Sequence, residues 1–289
     1  MKSSFLRLLV FTLLCPAFSP AGSAQPSGTH YVVYLLAGQS NMDGRAAVKD
    51  LKGPLEKYAA PRADILIRLS AGGLHRPLRE NAGFEPLAPG FSGTPAKAGG
   101  AVPADTFGPE LSFGAAMAAA SPGTKILLIK VAEGGTSLAA DWNPDEKEKL
   151  YARFVRFVTA ARKRIAAEGG ECEIRGMLWM QGEGDAKLPA GRYAGLLTEF
   201  IARTRKDLAL PELPFLIGQV YDNGERTRVI ADQKAVARTV PFAAFVDGAG
   251  LKTFDKGTHY DAPSQIELGK RFATAMIRLS PPPKTALAK

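Results

Sequence analysis

Residues 31–45 read YVVYLLAGQSNMDGR, and this stretch carries the clearest signal of the fold. Its first seven residues are aromatic, aliphatic or small and include no charge, which is typical of a strand buried on both faces of a parallel sheet. The strand ends at Gly38, and Ser40 follows in a polar cluster. Because open α/β sheets bind ligands at the carboxyl ends of their strands, Ser40 is predicted to lie at a ligand site. The alternative is that Ser40 or Asn41 only caps the next helix, since both residue types accept hydrogen bonds from free amides.

Strand-like and helix-like segments alternate through the rest of the chain. Further strands are predicted at 64–69, 125–131, 174–180, 215–220 and 242–246, and helices at 45–60, 110–120, 144–168, 192–208, 226–240 and 263–279. This alternation indicates right-handed βαβ crossovers and one parallel sheet of about five strands. The predicted fold class is α/β, with a single three-layer α/β/α domain over residues 25–280. Residues 70–109, rich in Gly, Pro and Ala, are predicted to form a lid, a pocket wall or an insertion.

The first 24 residues have the layout of a secretory signal peptide. Lys2 and Arg7 precede a short apolar run, and small residues follow at 22–24. The run is too short to span a bilayer, so the mature protein is expected in the periplasm or outside the cell. Cleavage removes Cys15 and leaves Cys172 as the single cysteine, which excludes an intramolecular disulfide. The proline-rich residues 281–289 are predicted to be a disordered tail.

The chain is basic, but its sequence gives no sign of a nucleic-acid partner. Removal of residues 1–24 lowers the formal net charge from +9 to +7, with 35 Lys and Arg against 28 Asp and Glu. A basic exported protein favours an acidic polysaccharide or an anionic surface. The basic residues form no dense block, however, and nothing resembles a recognition motif for nucleic acid. We therefore expect no nucleic-acid partner and no membrane span.

A serine nucleophile needs a base, and only three histidines are available. His30 lies at the amino end of the first strand, roughly 20 Å from Ser40 at about 3.3 Å per residue. His75 lies in the long loop and has no obvious orienting partner. His259 follows the last predicted strand and precedes the final helix, so it belongs to the same edge of the sheet as Ser40. His259 is the preferred base, although a histidine in such a loop is more often a surface residue.

A third group must hold the imidazole in the correct tautomer, and two carboxylates compete for that role. Asp255 lies four residues before His259, and Glu183 follows another strand end in the sequence WMQGEGD. Either carboxylate also has a plain structural explanation. Glu183 could sit favourably at a helix start, and Asp255 could be a turn residue.

Hydrogen-bond donors must also face the developing oxyanion. Ser40 can supply its backbone amide. Gly134 and Gly135 follow the strand at 125–131 and permit close approach of the backbone. The side-chain amide of Gln181 is a third candidate. Four strand ends therefore supply the groups that acyl transfer requires.

Four blocks of sequence together resemble one enzyme superfamily. They are GQSNM at 38–42, EGGTSL at 133–138, WMQGEGD at 179–185 and THYDAPSQIELGKRFA at 258–273, with GPELSFG at 108–114 as a further match. They resemble the SGNH-hydrolase superfamily, and within it the sialate O-acetylesterase-like group that includes the acetylxylan esterases of carbohydrate esterase family six. The resemblance covers residues 31–275. It implies a flavodoxin-like fold and metal-free, cofactor-free removal of acetyl groups from an acetylated oligosaccharide or polysaccharide.

The resemblance also implies roles for single residues. Ser40 would be the nucleophile and His259 the base. The wider superfamily takes its acid from an Asp three residues before the His, a position that Lys256 occupies here. The sugar-esterase group resembles a pattern whose acid lies in the QGE block, so Glu183 is the first candidate and Asp255 the second.

The sugar-binding surface is expected around the nucleophile and in the long loop. The candidates for substrate contact are Gln39, Asn41, Arg45, Trp142 and residues 70–109, although Arg45 could equally form a surface salt bridge. Trp179 lies within a strand and is expected in the core.

Two other functions are compatible with these motifs. One is a lipase-like or thioester hydrolase of the same superfamily, acting on other short acyl esters. Against it, residues 70–109 are polar and glycine-rich rather than apolar. The other is a non-catalytic carbohydrate-binding protein on the same scaffold.

Overall fold

The computed structural model describes residues 28–93 and 106–280. The strands of these ranges are β1 (His30–Gly38), β2 (Ala46–Ala47), β3 (Arg62–Ala71), β4 (Arg79–Glu80), β5 (Glu85–Leu87), β6 (Thr106–Phe107), β7 (Lys125–Ala132), β8 (Glu171–Met180), β9 (Phe215–Gly218) and β10 (Ala243–Val246). The central sheet has the order β10-β9-β8-β1-β7-β3-β4, with β5 also paired to β3. Its strands β3, β7, β1, β8, β9 and β10 run parallel, and β4 and β5 are antiparallel to β3. The predicted parallel α/β sheet is confirmed. Each of the six predicted segments forms a parallel strand, against the estimate of about five, and β4 and β5 are short antiparallel additions.

Helices cover both faces of this sheet. They are α1 (Ser40–Asp43), α2 (Glu110–Ala120), α3 (Leu150–Ala167), α4 (Arg192–Asp207), α5 (Thr227–Thr239) and α6 (Ala262–Leu279). On one face Tyr34 of β1 packs edge-on against Phe113 of α2, which in turn packs on α6. On the other face Trp179 of β8 packs against Phe200 of α4 at a ring distance of 4.4 Å. The three-layer α/β/α arrangement is therefore confirmed.

The strand β1 occupies the middle of the sheet, between β7 and β8. Its residues 32–38 are all buried, because helices cover both faces, and this explains the uninterrupted apolar sequence. The strand ends at Gly38, whose φ is +149°. A Cβ there would lie 2.1 Å from the carbonyl oxygen of Met180, so only glycine lets the chain turn into α1 at this point.

Two predicted helices differ from the observed elements. Residues 45–60 form β2 and two 3₁₀ segments, Val48–Asp50 and Gly53–Tyr58, because Gly53 takes a left-handed conformation with φ of +56°. The helix predicted at 144–168 begins only at Leu150. Before it, the side-chain oxygen of Asn143 accepts a hydrogen bond from the amide of Asp145, which favours a turn over a helix.

The long segment at 70–109 is partly regular. Its described part contains β4, β5 and β6, while residues 94–105 lie outside the described ranges. The predicted signal peptide and the predicted tail at 281–289 also lie outside them. Cys172 is a free, half-buried thiol. Within the described ranges, no helix has the length and apolar character needed to cross a membrane.

Candidate active site

A cavity of about 450 Å³ opens beyond the carboxyl ends of β1, β7 and β8. It is lined by Gln39, Ser40, Arg45, Arg76, Gly135, Glu183, Gly184, Thr258 and His259. Every lining residue is polar or a glycine. The fold thus brings Ser40 and His259, which are far apart in sequence, to the walls of one cavity.

Ser40 is the first residue of the one-turn helix α1 and follows directly on β1. Gln39 occupies the N-cap position, and no side chain caps this helix, so helix capping does not explain Ser40. The turn after β7 approaches Ser40 closely. A Cβ on Gly134 would lie 3.2 Å from the Cβ of Ser40 and 2.6 Å from Nη2 of Arg45. A side chain at position 134 would therefore press on Ser40 and displace the guanidinium of Arg45.

The imidazole of His259 is held by Asp255. Nδ1 of His259 lies 2.6 Å from Oδ2 of Asp255, and Oδ1 of the same carboxylate accepts the backbone amides of Thr258 and His259, both at 2.9 Å. A carboxylate on Nδ1 places the ring proton on that nitrogen and leaves Nε2 as the acceptor. The imidazole that lines the cavity therefore has the tautomer of a general base.

Burial is the main reason that the pKa of this imidazole lies below its ordinary value. Burial lowers the pKa of His259, and the positive charges of Arg45 and Arg226 lower it further, while the contact with Asp255 opposes the change. Burial alone would raise the pKa of Asp255, but hydrogen bonds from His259 and Thr258 outweigh it and lower that pKa. The pair thus consists of a neutral imidazole beside an ionised carboxylate at neutral pH.

Glu183, the first candidate for the acid, does not contact the imidazole. Its Oε1 accepts a hydrogen bond of 2.9 Å from Nδ2 of Asn41, and its Oε2 is buried without a hydrogen-bond partner. Burial raises the pKa of Glu183, against the hydrogen bond from Asn41 and the charge of Arg226. The prediction that Glu183 contacts the histidine is therefore wrong. Asp255, the second candidate, contacts the imidazole instead.

Gln181 is not placed to stabilise an oxyanion. Its side chain is fully buried, and Nε2 already donates to Asp185, to the carbonyl of Thr136 and to the side chain of Gln39. The prediction for Gln181 is wrong because the amide belongs to the network that supports the cavity floor. Gly135, by contrast, is exposed at the cavity and has open space where a Cβ would be.

The predictions that Trp142 and Asn41 contact the substrate are also wrong. Trp142 is fully buried, with its ring edge-on to Trp179 at 5.1 Å and its Nε1 donating to Oγ1 of Thr136. Asn41 is fully buried as well and does not line the cavity. Trp179 lies in the core, as predicted.

Gln39 and Arg45 do line the cavity. The side-chain oxygen of Gln39 accepts the amide of Gly184 at 3.3 Å, and Arg45 forms an ion pair of 2.6 Å with the buried Asp43. Arg45 therefore combines the two roles that its sequence position allowed, since it borders the cavity and forms a salt bridge.

Two further side chains lie near the site. Arg76 belongs to residues 70–109, which were expected to contact substrate, whereas Phe254 carries no sequence signal that would have found it. Arg76 reaches the cavity from the long segment after β3 and donates to the carbonyl of Gly134 at 3.3 Å. Phe254 is exposed and stacks on the ring of His259 at 5.9 Å. His75 does have a carboxylate partner, Asp141 at 3.1 Å, contrary to expectation, but it does not line the cavity. Among the described residues no three His, Cys, Asp or Glu side chains are grouped to hold a metal ion.

Comparison with known proteins agrees with this geometry. The family model described as carbohydrate esterase, sialic acid-specific acetylesterase matches residues 30–278. A probable carbohydrate esterase of Arabidopsis thaliana is 29% identical over an alignment of 262 residues, which covers 85% of this chain and 90% of that protein.

Solved structures show the same fold. An X-ray structure of an Arabidopsis thaliana protein has a TM-score of 0.67 at 26% identity. The match covers 86% of this chain and 98% of the Arabidopsis chain. The crystal structure of NanS has a TM-score of 0.64 at 16% identity, and the match covers 87% of this chain and 98% of the NanS chain. The resemblance predicted from the sequence blocks is confirmed. With a serine, a histidine–aspartate pair and a polar cavity at the expected sheet edge, the chain belongs to the carbohydrate esterase family of sialic acid-specific acetylesterases and is an ester hydrolase.

Proposed function

We propose that this protein is a serine esterase that removes O-acetyl groups from a carbohydrate, and that it is exported with the help of residues 1–24. The observation that carries the proposal is the contact between Asp255 and Nδ1 of His259 in a cavity that His259 shares with Ser40. A hydroxyl, an imidazole and a carboxylate in this arrangement are the components of acyl transfer through a covalent intermediate.

The first half of the proposed reaction forms an acetyl-serine. Nε2 of His259 takes the proton of the Ser40 hydroxyl, and the serine oxygen attacks the carbonyl carbon of the acetyl ester. The backbone amides of Ser40 and Gly135 stabilise the tetrahedral oxyanion. The imidazolium then protonates the sugar oxygen as its bond to the acetyl carbon breaks. Asp255 stabilises the imidazolium throughout this step.

The second half hydrolyses the acetyl-serine. His259 takes a proton from water, the hydroxide attacks the acetyl carbon, and the bond to the oxygen of Ser40 breaks. The proton returns from His259 to Ser40, and acetate leaves. The cycle thus uses only groups of the cavity wall and the carboxylate of Asp255 behind it.

The cavity lining favours a sugar ester over a fatty acyl ester. A long acyl chain requires apolar surface, since each buried CH₂ contributes about 0.8 kcal/mol. The lining instead consists of glycines and polar side chains, including the guanidinium groups of Arg45 and Arg76. Hydroxyl-rich ligands match such hydrogen-bonding walls, which argues against the lipase-like or thioester hydrolase.

Acetate release from acetylated glycans is the expected activity. Incubation with a panel of acetylxylan, other acetylated polysaccharides and O-acetylated sialosides should release acetate from at least one member. p-Nitrophenyl acetate should also be hydrolysed, with kcat/KM at least about 100-fold above that of the decanoate ester, because the longer chain finds no apolar wall. A preference for the decanoate ester would instead support the lipase-like enzyme.

The activity should also depend on pH in one direction. A neutral His259 is required for proton transfer, and burial together with Arg45 and Arg226 lowers its pKa below the ordinary value of 6.5. We therefore expect kcat/KM to remain level at neutral pH and above, and to fall about tenfold per pH unit below a midpoint under 6.5. The measurement is kcat/KM for p-nitrophenyl acetate between about pH 4.5 and pH 8.5.

Arg45→Gln provides the check on the cause of this midpoint. Loss of the positive charge removes one of the influences that favour the neutral ring, so the acidic midpoint should move to higher pH. A midpoint above 6.5 in the unaltered enzyme would contradict the assignment of His259 as the titrating base.

A further inference from the structure

The side chain of Asn41 binds the chain on both sides of His259. Its Nδ2 donates to the carbonyl oxygen of Thr258 at 2.9 Å, and its Oδ1 accepts the amide of Tyr260 at 3.1 Å. Asn41 is fully buried and so cannot contact a substrate in the cavity. The residue that follows Ser40 is therefore attached directly to the backbone that carries the imidazole.

The same amide also supports a buried carboxyl group. Nδ2 of Asn41 donates to Oε1 of Glu183 at 2.9 Å, and the carbonyl oxygen of Asn41 accepts Nε2 of Gln265 at 3.1 Å. Oε2 of Glu183 has no hydrogen-bond partner. Asn41 thus connects three parts of the site: the turn of Ser40, the end of β8 and the loop of His259.

We infer that Asn41 is a positioning residue, which fixes the imidazole of His259 relative to the oxygen of Ser40. The inference rests on the proposed roles of those two residues. Because Asn41 is adjacent to Ser40 in the chain, its side-chain bonds to residues 258 and 260 set the separation of nucleophile and base. A displacement of about 1 Å between reacting groups can lower a rate about 100-fold.

An amide is the side chain that this position needs. It donates to Thr258 and Glu183 and accepts from Tyr260 at the same time, whereas an ionised carboxylate could only accept. Asn41→Asp keeps the shape of the side chain but places an acceptor against the carbonyl of Thr258 and the carboxyl of Glu183. The position therefore discriminates between side chains of equal size by their hydrogen-bonding capacity.

Asn81 offers a matched control elsewhere in the fold. Its Nδ2 donates to the carbonyl of Ile67 at 3.1 Å, and its Oδ1 accepts the amide of Leu69 at 2.7 Å. Asn81 thus binds the backbone on both sides of Arg68, as Asn41 binds the backbone on both sides of His259. Unlike Asn41, it lies beside β3 and away from the cavity. A merely structural asparagine should behave like Asn81.

The test compares Asn41→Ala, Asn41→Asp and Asn81→Ala with p-nitrophenyl acetate as the substrate. Both Asn41 variants should lower kcat about 100-fold with KM within about threefold, because the acyl group still binds while the base is misplaced. Asn81→Ala should keep kcat and lower only the midpoint of thermal unfolding. The midpoint of thermal unfolding is recorded for both Asn41 variants as well, so that a loss of kcat in a folded enzyme is separated from a folding defect.

The double variant Asn41→Asp/Glu183→Gln separates positioning from loss of stability. The new amide at position 183 can donate to the new carboxylate at position 41, so the double variant should regain part of the kcat that Asn41→Asp lost. In the unaltered enzyme and the variants, the NMR signal of the imidazole proton shared with Asp255 should broaden where kcat falls and sharpen where it recovers.

The outcomes separate this inference from the proposed function. A folded Asn41→Ala or Asn41→Asp enzyme with the kcat of the unaltered protein would overturn the positioning role, as would equal effects on kcat at positions 41 and 81. If Ser40→Ala stays active, the proposed function is wrong instead. An inactive Ser40→Ala with fully active Asn41 variants leaves the esterase intact and removes only the inference.

Discussion

Ser40→Ala is expected to lower kcat for acetyl ester hydrolysis about 10⁶-fold, the loss typical when a serine nucleophile is removed from a working triad. The alanine leaves the imidazole of His259 without the serine oxygen that it activates. The side chain is small and lies at the cavity wall, so the fold should be unchanged. The measurements are kcat with p-nitrophenyl acetate and the midpoint of thermal unfolding.

Ser137→Ala is the matched control, since Ser137 lies in the neighbouring turn after β7. Its hydroxyl forms hydrogen bonds with Asp141 and the amide of Ala140, and it does not line the cavity, so its loss should leave kcat close to that of the unaltered enzyme. An organophosphate that reacts with activated serines should add one label to the unaltered protein at Ser40 and none to Ser40→Ala. Substantial turnover by Ser40→Ala would remove Ser40 from its role.

The same experiment addresses the carbohydrate-binding alternative. A non-catalytic protein would bind the acetylated glycan, release no acetate and take up no organophosphate. Binding by Ser40→Ala is expected under the esterase proposal as well, because most of the cavity wall remains. The activity of the unaltered protein, and not glycan binding, therefore decides between the two functions.

The sequence predicts the fold well where the burial pattern is unambiguous. β1 contains a continuous apolar run because both sheet faces are covered, and α2 begins and ends at the predicted residues. The prediction fails at 45–60, where residue composition permits a helix but the left-handed Gly53 and the pairing of β2 with β6 prevent one. Such long-range pairing leaves no local periodicity to detect.

The candidate site is predictable from the sequence only in part. Ser40 and His259 could be found because strand ends of a parallel sheet share one edge. The identity of the acid could not, because it depends on how the loop at 255–259 folds back on itself. The prediction for Trp142 fails because a tryptophan in a loop after a strand has the same sequence signature in a core as at a sugar site.

Asp255→Asn should be far more damaging than Glu183→Gln. The amide that this substitution introduces carries no charge to stabilise the imidazolium and holds the ring in the wrong tautomer, so kcat should fall on the order of 10⁴-fold. Glu183→Gln keeps an oxygen that can accept the hydrogen bond from Asn41, and it does not touch the imidazole. Its kcat should fall by no more than about tenfold.

The pH profile distinguishes a lost partner from a lost fold. Without the carboxylate of Asp255, the imidazole loses the contact that opposes the effect of burial, so the acidic midpoint of kcat/KM should move to lower pH. The midpoint should be unchanged in Glu183→Gln, because Glu183 is not among the main groups that shift the pKa of His259. If Glu183→Gln instead loses more activity than Asp255→Asn while both remain folded, the triad acid is Glu183, and the loop at 255–259 must rearrange when substrate binds.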